Sequence, residues 1–295
     1  MVADGCHAAF AAGAVAELAR RGRCWQVVLG AGLAAQVGVL AAVGEAEEAE
    51  RRWRRQGEHG CPLLAPLAAQ VQQRLRELAG TLALLDPWRL PGWLDAVALA
   101  EHLAPEAAAL PPRLQRRAVQ VLVLIMEVGR GLLRWERLEG LEPTAAFDAL
   151  TAACTFPAGW GAHRGTSGER RWGGVGLLAG APLEVVRLAD AWDVVCGFPV
   201  PAVEREWVSN SLFEQVQRRD EVLAAGAVAN WANSVRGSKV GVIAPTAQLW
   251  CRVEGREDAE LGVEYPLAWE RNAELIPRLM AAGLAAAGQA LEDKK

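Results

Sequence analysis

The segment Gly30-Ala31-Gly32 constrains the fold of this chain most, because it lies between a strand pattern and a helix pattern. Residues 24–29 are an apolar run suited to a buried strand, and residues 34–43 are small and mostly apolar, as in a packed helix. Such strand–turn–helix junctions present a nucleophile at the apex or lay backbone N–H groups against a phosphate. Here Gly32 occupies the apex, and the lysine of a phosphate-binding loop is missing. The junction is therefore predicted without a reactive side chain.

Composition and charge exclude several classes of protein. The 295 residues are 52% apolar with a formal net charge of −4, which allows a large core and gives no broad basic face for nucleic acid. The six cysteines are widely spaced and only four histidines are present, so we expect no metal site, disulfide framework or cofactor. Reduced cysteines and a start without a basic leader predict a cytoplasmic protein. The uncharged run 24–44 is interpreted as a buried strand and helix, not a membrane span.

Hydrophobic periodicity predicts alternating helices and strands. Helices are predicted over residues 8–21, 63–85, 94–109, 144–154, 203–234 and 269–291. Strands are predicted over residues 119–126, 132–138 and 239–244, the first two joined by a turn at 129–131, and residues 156–174 are predicted to form a long surface loop. This alternation favours an α/β fold with a mostly parallel sheet covered on both faces, in a single domain over 1–295 with a helical insertion at about 45–110.

Four short motifs resemble those of the patatin-like phospholipase family. The family's glycine-rich oxyanion loop resembles Asp4-Gly5-Cys6, in which one loop glycine is kept. Its serine elbow G-x-S-x-G resembles Gly30-Ala31-Gly32-Leu33-Ala34, in which Gly32 replaces the serine and Ala34 the second glycine. Its D-G-G motif resembles Trp172-Gly173-Gly174, in which Trp172 replaces the aspartate base, and its A-S-x-A-x-P segment resembles residues 152–157. The resemblance covers the whole chain and implies a three-layer α/β/α fold.

The same resemblance implies a family member that has lost catalysis. An acyl hydrolase of this type needs a hydroxyl to attack the ester and a base to take its proton. Gly32 has no side chain, and the indole of Trp172 is an N–H donor that cannot accept a proton. We expect no catalytic residue at these positions, and Trp172 is expected to fill the former cleft. A non-catalytic binding or regulatory role follows, with a lipid or membrane surface or a protein as partner, and no nucleic acid.

Two other functions stay open. One is acyl hydrolysis through a displaced nucleophile, for which the candidates are Ser167, with His163 four residues earlier, Cys154 and Cys6. The other is binding of a nucleotide or phosphate at the turn of residues 30–32, which lacks the usual lysine and acidic ribose contact.

The charged segment 45–56 has two interpretations. Trp53 lies among four arginines, as in a helix at a membrane interface. Alternatively, the segment is a solvated helix with Glu47–Arg51 and Glu48–Arg52 ion pairs at the i,i+4 spacing, which is the interpretation we favour.

Overall fold

The computed structural model describes residues 1–59, 99, 103, 110–155, 162–202, 212–234, 239–245 and 272–292. Numbered along this part of the chain, the α-helices are α1 Ala8–Arg20, α2 Ala34–Ala42, α3 Ala46–His59, α4 Leu110–Arg117, α5 Pro143–Cys154, α6 Leu212–Ser234 and α7 Asn272–Glu292. The strands are β1 Val27–Gly30, β2 Gln120–Glu127, β3 Leu132–Arg137, β4 His163–Arg164, β5 Arg170–Trp172, β6 Ala191–Val195 and β7 Lys239–Ile243. Short 3-10 helices span Gly5–His7, Val175–Gly180 and Leu183–Leu188.

The strands pair in both directions, so the fold is α/β with a mixed sheet. β1 and β2 are parallel, as are β6 and β7, whereas β3 and β5 run antiparallel to β2 and β4 runs antiparallel to β5. Val2 forms single parallel bridges to Ala31 and to Cys196, which places it between the C-terminal ends of β1 and β6. The predicted turn joins β2 to β3, and Gly131 takes the left-handed backbone conformation that glycine permits there.

Most of the predicted elements in the described residues are confirmed, with one clear exception. The segment 156–174, predicted as a surface loop, contains β4 and β5 in its described part. β5 pairs with the end of β2 through Met126 and Trp172, a long-range contact that a local Gly/Arg-rich composition does not reveal. The helical insertion predicted at 45–110 lies largely outside the described residues, although α3 is helical and Leu99 and Leu103 are helical and buried.

The membrane-interface interpretation of Trp53 is wrong. Its side chain is only 2% exposed, because the apolar face of α3 packs against α1 and α7. On the polar face the predicted pair of Glu48 with Arg52 forms at 3.0 Å, and Arg51 also binds Glu48, at 2.9 Å. Among the helices that the structure describes, none combines the length and the apolar character needed to cross a membrane.

Helices α1 and α7 approach each other closely through two glycines. A Cβ placed on Gly13 would overlap the carbonyl oxygen of Met280 and lie 2.9 Å from its carbonyl carbon. A Cβ placed on Gly283 would overlap the carbonyl oxygen of Phe10 and lie 2.9 Å from the backbone nitrogen of Ala14. The obstructing atoms are backbone, so the two helices can pack at this distance only without side chains at these positions.

We predict that Gly13→Ala lowers the free energy of unfolding by about 2 kcal/mol, because the added methyl group forces the helices apart. The matched control is Gly226→Ala on α6, where an added Cβ meets no atom within 4 Å. That control should raise stability by about 0.5 kcal/mol, since alanine favours helix more than glycine does. Urea unfolding of the three proteins measures both changes, and equal effects of the two substitutions would contradict the close helix contact.

Candidate functional site

The predicted strand–turn–helix junction is present. Gly30 ends β1, Gly32 has a φ of +69° in the left-handed region, and α2 begins at Ala34. A Cβ on Gly30 would lie 2.7 Å from the Cα of Ala35, so this glycine lets the helix fold back tightly onto the strand. The sequence therefore forms a tight strand–turn–helix junction with glycine at its apex, which we call the elbow.

The carboxylate of Asp4 occupies the space beside that apex. A Cβ on Gly32 would overlap Oδ1 of Asp4 and lie 2.5 Å from the carbonyl oxygen of Ala3. Asp4 is 6% exposed, its Oδ1 accepts a hydrogen bond from the Leu33 N–H at 3.3 Å, and its Oδ2 accepts one from the Val175 N–H at 2.8 Å. The carboxylate thus takes the volume that a serine side chain at Gly32 would need.

The Gly-Gly motif, Gly173-Gly174, directly precedes the second hydrogen-bond donor to Asp4. Gly173 donates its N–H to the carbonyl of Thr155 at 2.8 Å, and a Cβ at this position would overlap the carbonyl oxygen of Ala153. Gly174 has a φ of +104° and leads into the 3-10 helix that starts at Val175, the second donor to Asp4. The structure therefore brings together the elbow, Asp4 of the loop at residues 4–6 and the residue that follows the Gly-Gly motif. Trp172 ends β5 and is half-buried.

The N–H groups at the start of α2 already have acceptors within the protein. A phosphate or oxyanion binds at a helix N-terminus only where such donors are available. Here the donors and their acceptors are Leu33 to the Asp4 carboxylate (3.3 Å), Ala34 to the Ala3 carbonyl (2.9 Å), Ala35 to the Gly32 carbonyl (3.0 Å) and Gln36 to the Leu33 carbonyl (3.2 Å). This arrangement argues against the phosphate-binding alternative and against an open oxyanion hole at the turn.

Two acidic residues of α6, Asp220 and Glu221, act on the carboxylate of Asp4. The pKa of Asp4 is raised to about 7, chiefly by burial and also by the negative charges of Asp220 and Glu221, although the N–H groups of Val175 and Leu33 oppose the change. Burial also raises the pKa of Asp220. Nδ1 of the buried His7 lies 3.6 Å from Oε1 of Glu221, so the 3-10 helix Gly5–His7 and α6 meet at these two side chains. The sequence analysis missed Asp220 and Glu221, because an acidic pair in a long helix looks like an ordinary solvated face.

Of the cysteine candidates, the structure argues against Cys154 as a nucleophile. Cys154 is fully buried, and burial raises the pKa of its thiol, which the nearby charge of Asp4 raises further. A thiol held protonated is a poor nucleophile. Cys6 belongs to the 3-10 helix Gly5–His7, and its side chain lies outside the described part of the structure.

Ser167 and His163 lie in the β4–β5 hairpin with different partners. His163 Nε2 lies 3.0 Å from Oδ1 of Asp148 on α5, and Oδ2 of Asp148 accepts hydrogen bonds from the N–H and the hydroxyl of Thr166, both at 2.8 Å. The exposed Ser167 instead donates to Glu169, a hydrogen bond that lowers the pKa of that carboxyl. His163 and Thr166 therefore hold the hairpin against Asp148 of α5. The Ser167 hydroxyl donates to Glu169 and not to His163.

A cavity of about 890 Å³ runs along β1 and β6, and its lining extends to Leu29, Met1 and Val2. Its walls include the N-terminal parts of β1 and β6, and four tryptophans line it, namely Trp25, Trp135, Trp192 and Trp231. Such a volume is typical of ligand sites. The sequence alone did not locate this cavity, since its walls come from segments more than 150 residues apart. Within the residues that are described, no cluster of histidine, cysteine and carboxylate ligands could hold a metal ion.

We predict that Asp4 makes stability fall as the pH rises from about 4 to about 7. Its pKa is about 7 in the folded protein against an ordinary 3.8, so in this window the folded chain holds a proton that the unfolded chain has released. The stabilisation that this bound proton provides is complete below 3.8, the ordinary pKa, and is lost as the pH rises through the folded pKa of about 7. Asp4→Asn should flatten this slope in urea unfolding at several pH values. The control Glu184→Gln alters an exposed carboxylate and should retain the slope.

We further predict that Asp148→Ala lowers the free energy of unfolding by about 3 kcal/mol, because it leaves Thr166 and His163 without a charged partner. Burial raises the pKa of Asp148, but hydrogen bonds from Thr166 and His163 outweigh it and hold that pKa below its ordinary value. The contribution of Asp148 to the free energy of unfolding should therefore be lost as the pH falls through the lowered pKa. The matched change Ser167→Ala in the same hairpin should alter stability by less than about 0.5 kcal/mol. A Ser167→Ala loss as large as that of Asp148→Ala would contradict this assignment.

Comparison with models of protein families found no match, and comparison with curated proteins found no relative. The patatin-like resemblance therefore remains a prediction from the motifs. The geometry adds the strand–turn–helix junction, the Asp4 carboxylate beside it and the cavity along β1 and β6.

Proposed function

We propose that this chain is a patatin-like protein that has lost acyl hydrolase activity and acts as a non-catalytic binding or regulatory protein. The proposed fold is a three-layer α/β/α single domain over residues 1–295 with a mostly parallel central sheet and a helical insertion. The parallel pairing of β1 with β2 and of β6 with β7 supports it, because the bridges of Val2 to Ala31 and Cys196 link the two pairs in one direction.

The observation that carries the loss of activity is the position of the Asp4 carboxylate against Gly32. A serine hydrolase needs an exposed hydroxyl at the elbow and available donors for the oxyanion. At this elbow the apex has no side chain, and Asp4 accepts the N–H of Leu33, the residue that follows the apex. The Asp4 carboxylate would have to move away from the Leu33 N–H before an oxyanion could accept a hydrogen bond from that group.

Trp172 supports the same proposal from the base position. The aspartate that the resemblance would place there accepts the proton of the nucleophile, whereas an indole offers only a donor. Loss of both members of a coupled pair removes most of the catalytic rate. The remaining function is binding, with a lipid or membrane surface or a protein as the proposed partner in the cytoplasm.

The experiment measures hydrolysis of a short-chain p-nitrophenyl ester and of a phospholipid. We predict that the parent protein is inactive, and that the double substitution Gly32→Ser with Trp172→Asp stays inactive because Asp4 fills the space of the new side chain. Adding Asp4→Gly to that pair should remove the overlap with the carboxylate, so that only the close approach to the Ala3 carbonyl oxygen has to be relieved by a small backbone shift. We expect the triple variant to give measurable esterase activity, reported by covalent labelling of the new serine with a fluorophosphonate.

Two outcomes would contradict the proposal. Activity in the parent that fluorophosphonate abolishes would contradict the loss of catalysis, and its further loss in Ser167→Ala would assign it to the displaced serine. A triple variant that unfolds cooperatively, like the parent, yet gains no activity would contradict the patatin-like assignment of the elbow.

A further inference from the structure

Strand β3 forms one edge of the mixed sheet. Among the residues that the structure describes, β3 pairs with β2 on one side and with no strand on the other. Met126 of β2 pairs with Trp172 as well as with Leu133, so β5 lies on the opposite side of β2 from β3. Leu132 and Arg137, at the two ends of β3, are exposed. Such an edge carries N–H and C=O groups that can pair with a further strand.

The hydrogen bonds to β2 determine which residues of β3 face the open edge. The N–H of Leu138, which directly follows β3, donates to the carbonyl of Val121 at 2.9 Å, so the backbone of Leu138 is directed toward β2. Successive residues of a strand direct their N–H and C=O groups to alternate sides. The even-numbered residues of β3 therefore pair with β2, and the odd-numbered residues present their backbone groups to the open edge. We call the odd-numbered residues the β3 edge: Leu133, Trp135 and Arg137.

Two copies of the β3 edge fit each other in one antiparallel register. Pairing about a twofold axis must set edge-facing residues opposite one another. In the register centred on Trp135, this residue lies opposite Trp135 of the second copy, and Leu133 lies opposite Arg137 of the second copy. The same register sets Arg134 opposite Glu136 of the second copy. The neighbouring registers, centred on Arg134 or on Glu136, would set two like charges opposite each other, so the charges select the register centred on Trp135.

Arg134 and Glu136 are placed to interact across such an axis. In this register they form non-hydrogen-bonded cross-strand pairs, in which the Cα atoms lie about 4.5 Å apart. Opposite charges in such pairs are stabilising and like charges are destabilising. Within one chain the two side chains bind each other at 2.7 Å on one face of β3, and Leu133 and Trp135 pack against the core on the other face. The charged face is therefore ordered before a second copy arrives.

Charged residues on an edge strand commonly prevent association. That protection works where an approaching strand meets a charge of the same sign. On β3 the two charges are opposite in sign and two residues apart, so an antiparallel second copy brings the complement of each.

Exposed apolar side chains accompany the β3 edge. Leu132 is 44% exposed at the start of the strand. The indole N–H of Trp135 donates to the carbonyl of Pro182 at 3.1 Å, and the next residue, Leu183, is 52% exposed. Apolar contact area is thus present beside the backbone groups that would pair.

We propose that the β3 edge pairs antiparallel with the β3 edge of a second copy of this chain, about a twofold axis at Trp135. The pairing would continue the sheet from one copy into the other, through backbone hydrogen bonds of the edge-facing residues. Arg134 and Glu136 would form ion pairs across the axis. This interface does not use the elbow and does not depend on the proposed loss of catalysis.

The test measures the molar mass of the protein by sedimentation equilibrium over a range of concentrations, where we expect reversible dimerisation of the parent. Arg134→Glu and Glu136→Arg each set like charges opposite one another and should weaken dimerisation at least about tenfold. The matched control is Arg116→Glu, at an exposed position of α4, which changes the net charge as much as Arg134→Glu does. It should stay within about twofold of the parent, since it lies outside the interface.

Complementary variants identify the register. The Arg134→Glu chain is acidic at both positions, and the Glu136→Arg chain is basic at both. An equimolar mixture should therefore form a heterodimer at least about tenfold more tightly than either variant forms a homodimer. The double variant, Arg134→Glu with Glu136→Arg, exchanges the two charges and should dimerise within about threefold of the parent.

Amide hydrogen exchange locates the contact along the backbone. The N–H groups of Leu133, Trp135 and Arg137 should exchange more slowly at high protein concentration than at low concentration. The N–H groups of Arg134 and Glu136, which already pair with β2, should show no such dependence.

A parent that stays monomeric at every concentration would overturn the proposal. Dimerisation that the single charge reversals leave unchanged would also overturn it, as would a mixture of the two variants that forms no heterodimer. Thermal unfolding followed by circular dichroism checks that each variant folds. Should Arg134→Glu fail to fold because Glu127 and Glu136 lie beside that position, Glu136→Arg, the double variant and the amide exchange still decide the result.

Discussion

The buried carboxylate of Asp4 is the interaction on which the arrangement of the elbow depends. It accepts the N–H of Leu33 after β1 and the N–H of Val175 after the Gly-Gly motif, and so joins segments far apart in the chain. Burying a carboxylate is costly unless it is hydrogen-bonded, and these two donors offset only part of that cost, since the pKa of Asp4 remains raised. Gly32 is required beside it, because a side chain there would overlap the carboxylate and the backbone is left-handed.

The turn after β1 and the cavity along β1 consequently have different capacities for binding. At the turn, the N–H groups of Ala31, Leu33 and the first residues of α2 have acceptors in the protein and are not available to a ligand. Along β1 and β6, strand residues and tryptophan rings line a cavity of about 890 Å³. The Asp4 side chain fills the space at the turn, whereas the volume beside the strands is open.

Local sequence patterns predicted the elements that depend on local interactions. The apolar face of Ala8–Arg20, the hairpin of β2 with β3 and the turn at Gly32 followed from periodicity and glycine placement. β5 was missed, because its place depends on pairing with the distant β2. The burial of Trp53 was missed for a related reason, since arginines dominate the local pattern while α1 and α7 supply the apolar contact.

The sequence by itself determined that the elbow has no nucleophile, because the absence of a side chain at Gly32 is a matter of covalent chemistry. It also determined that Trp172 cannot serve as a base. Only the tertiary structure decided that Asp4 fills the space beside Gly32, that Asp220 and Glu221 raise its pKa, and that Asp148 anchors His163. These are contacts between residues far apart in sequence, and their geometry exists only once the helices and strands have packed.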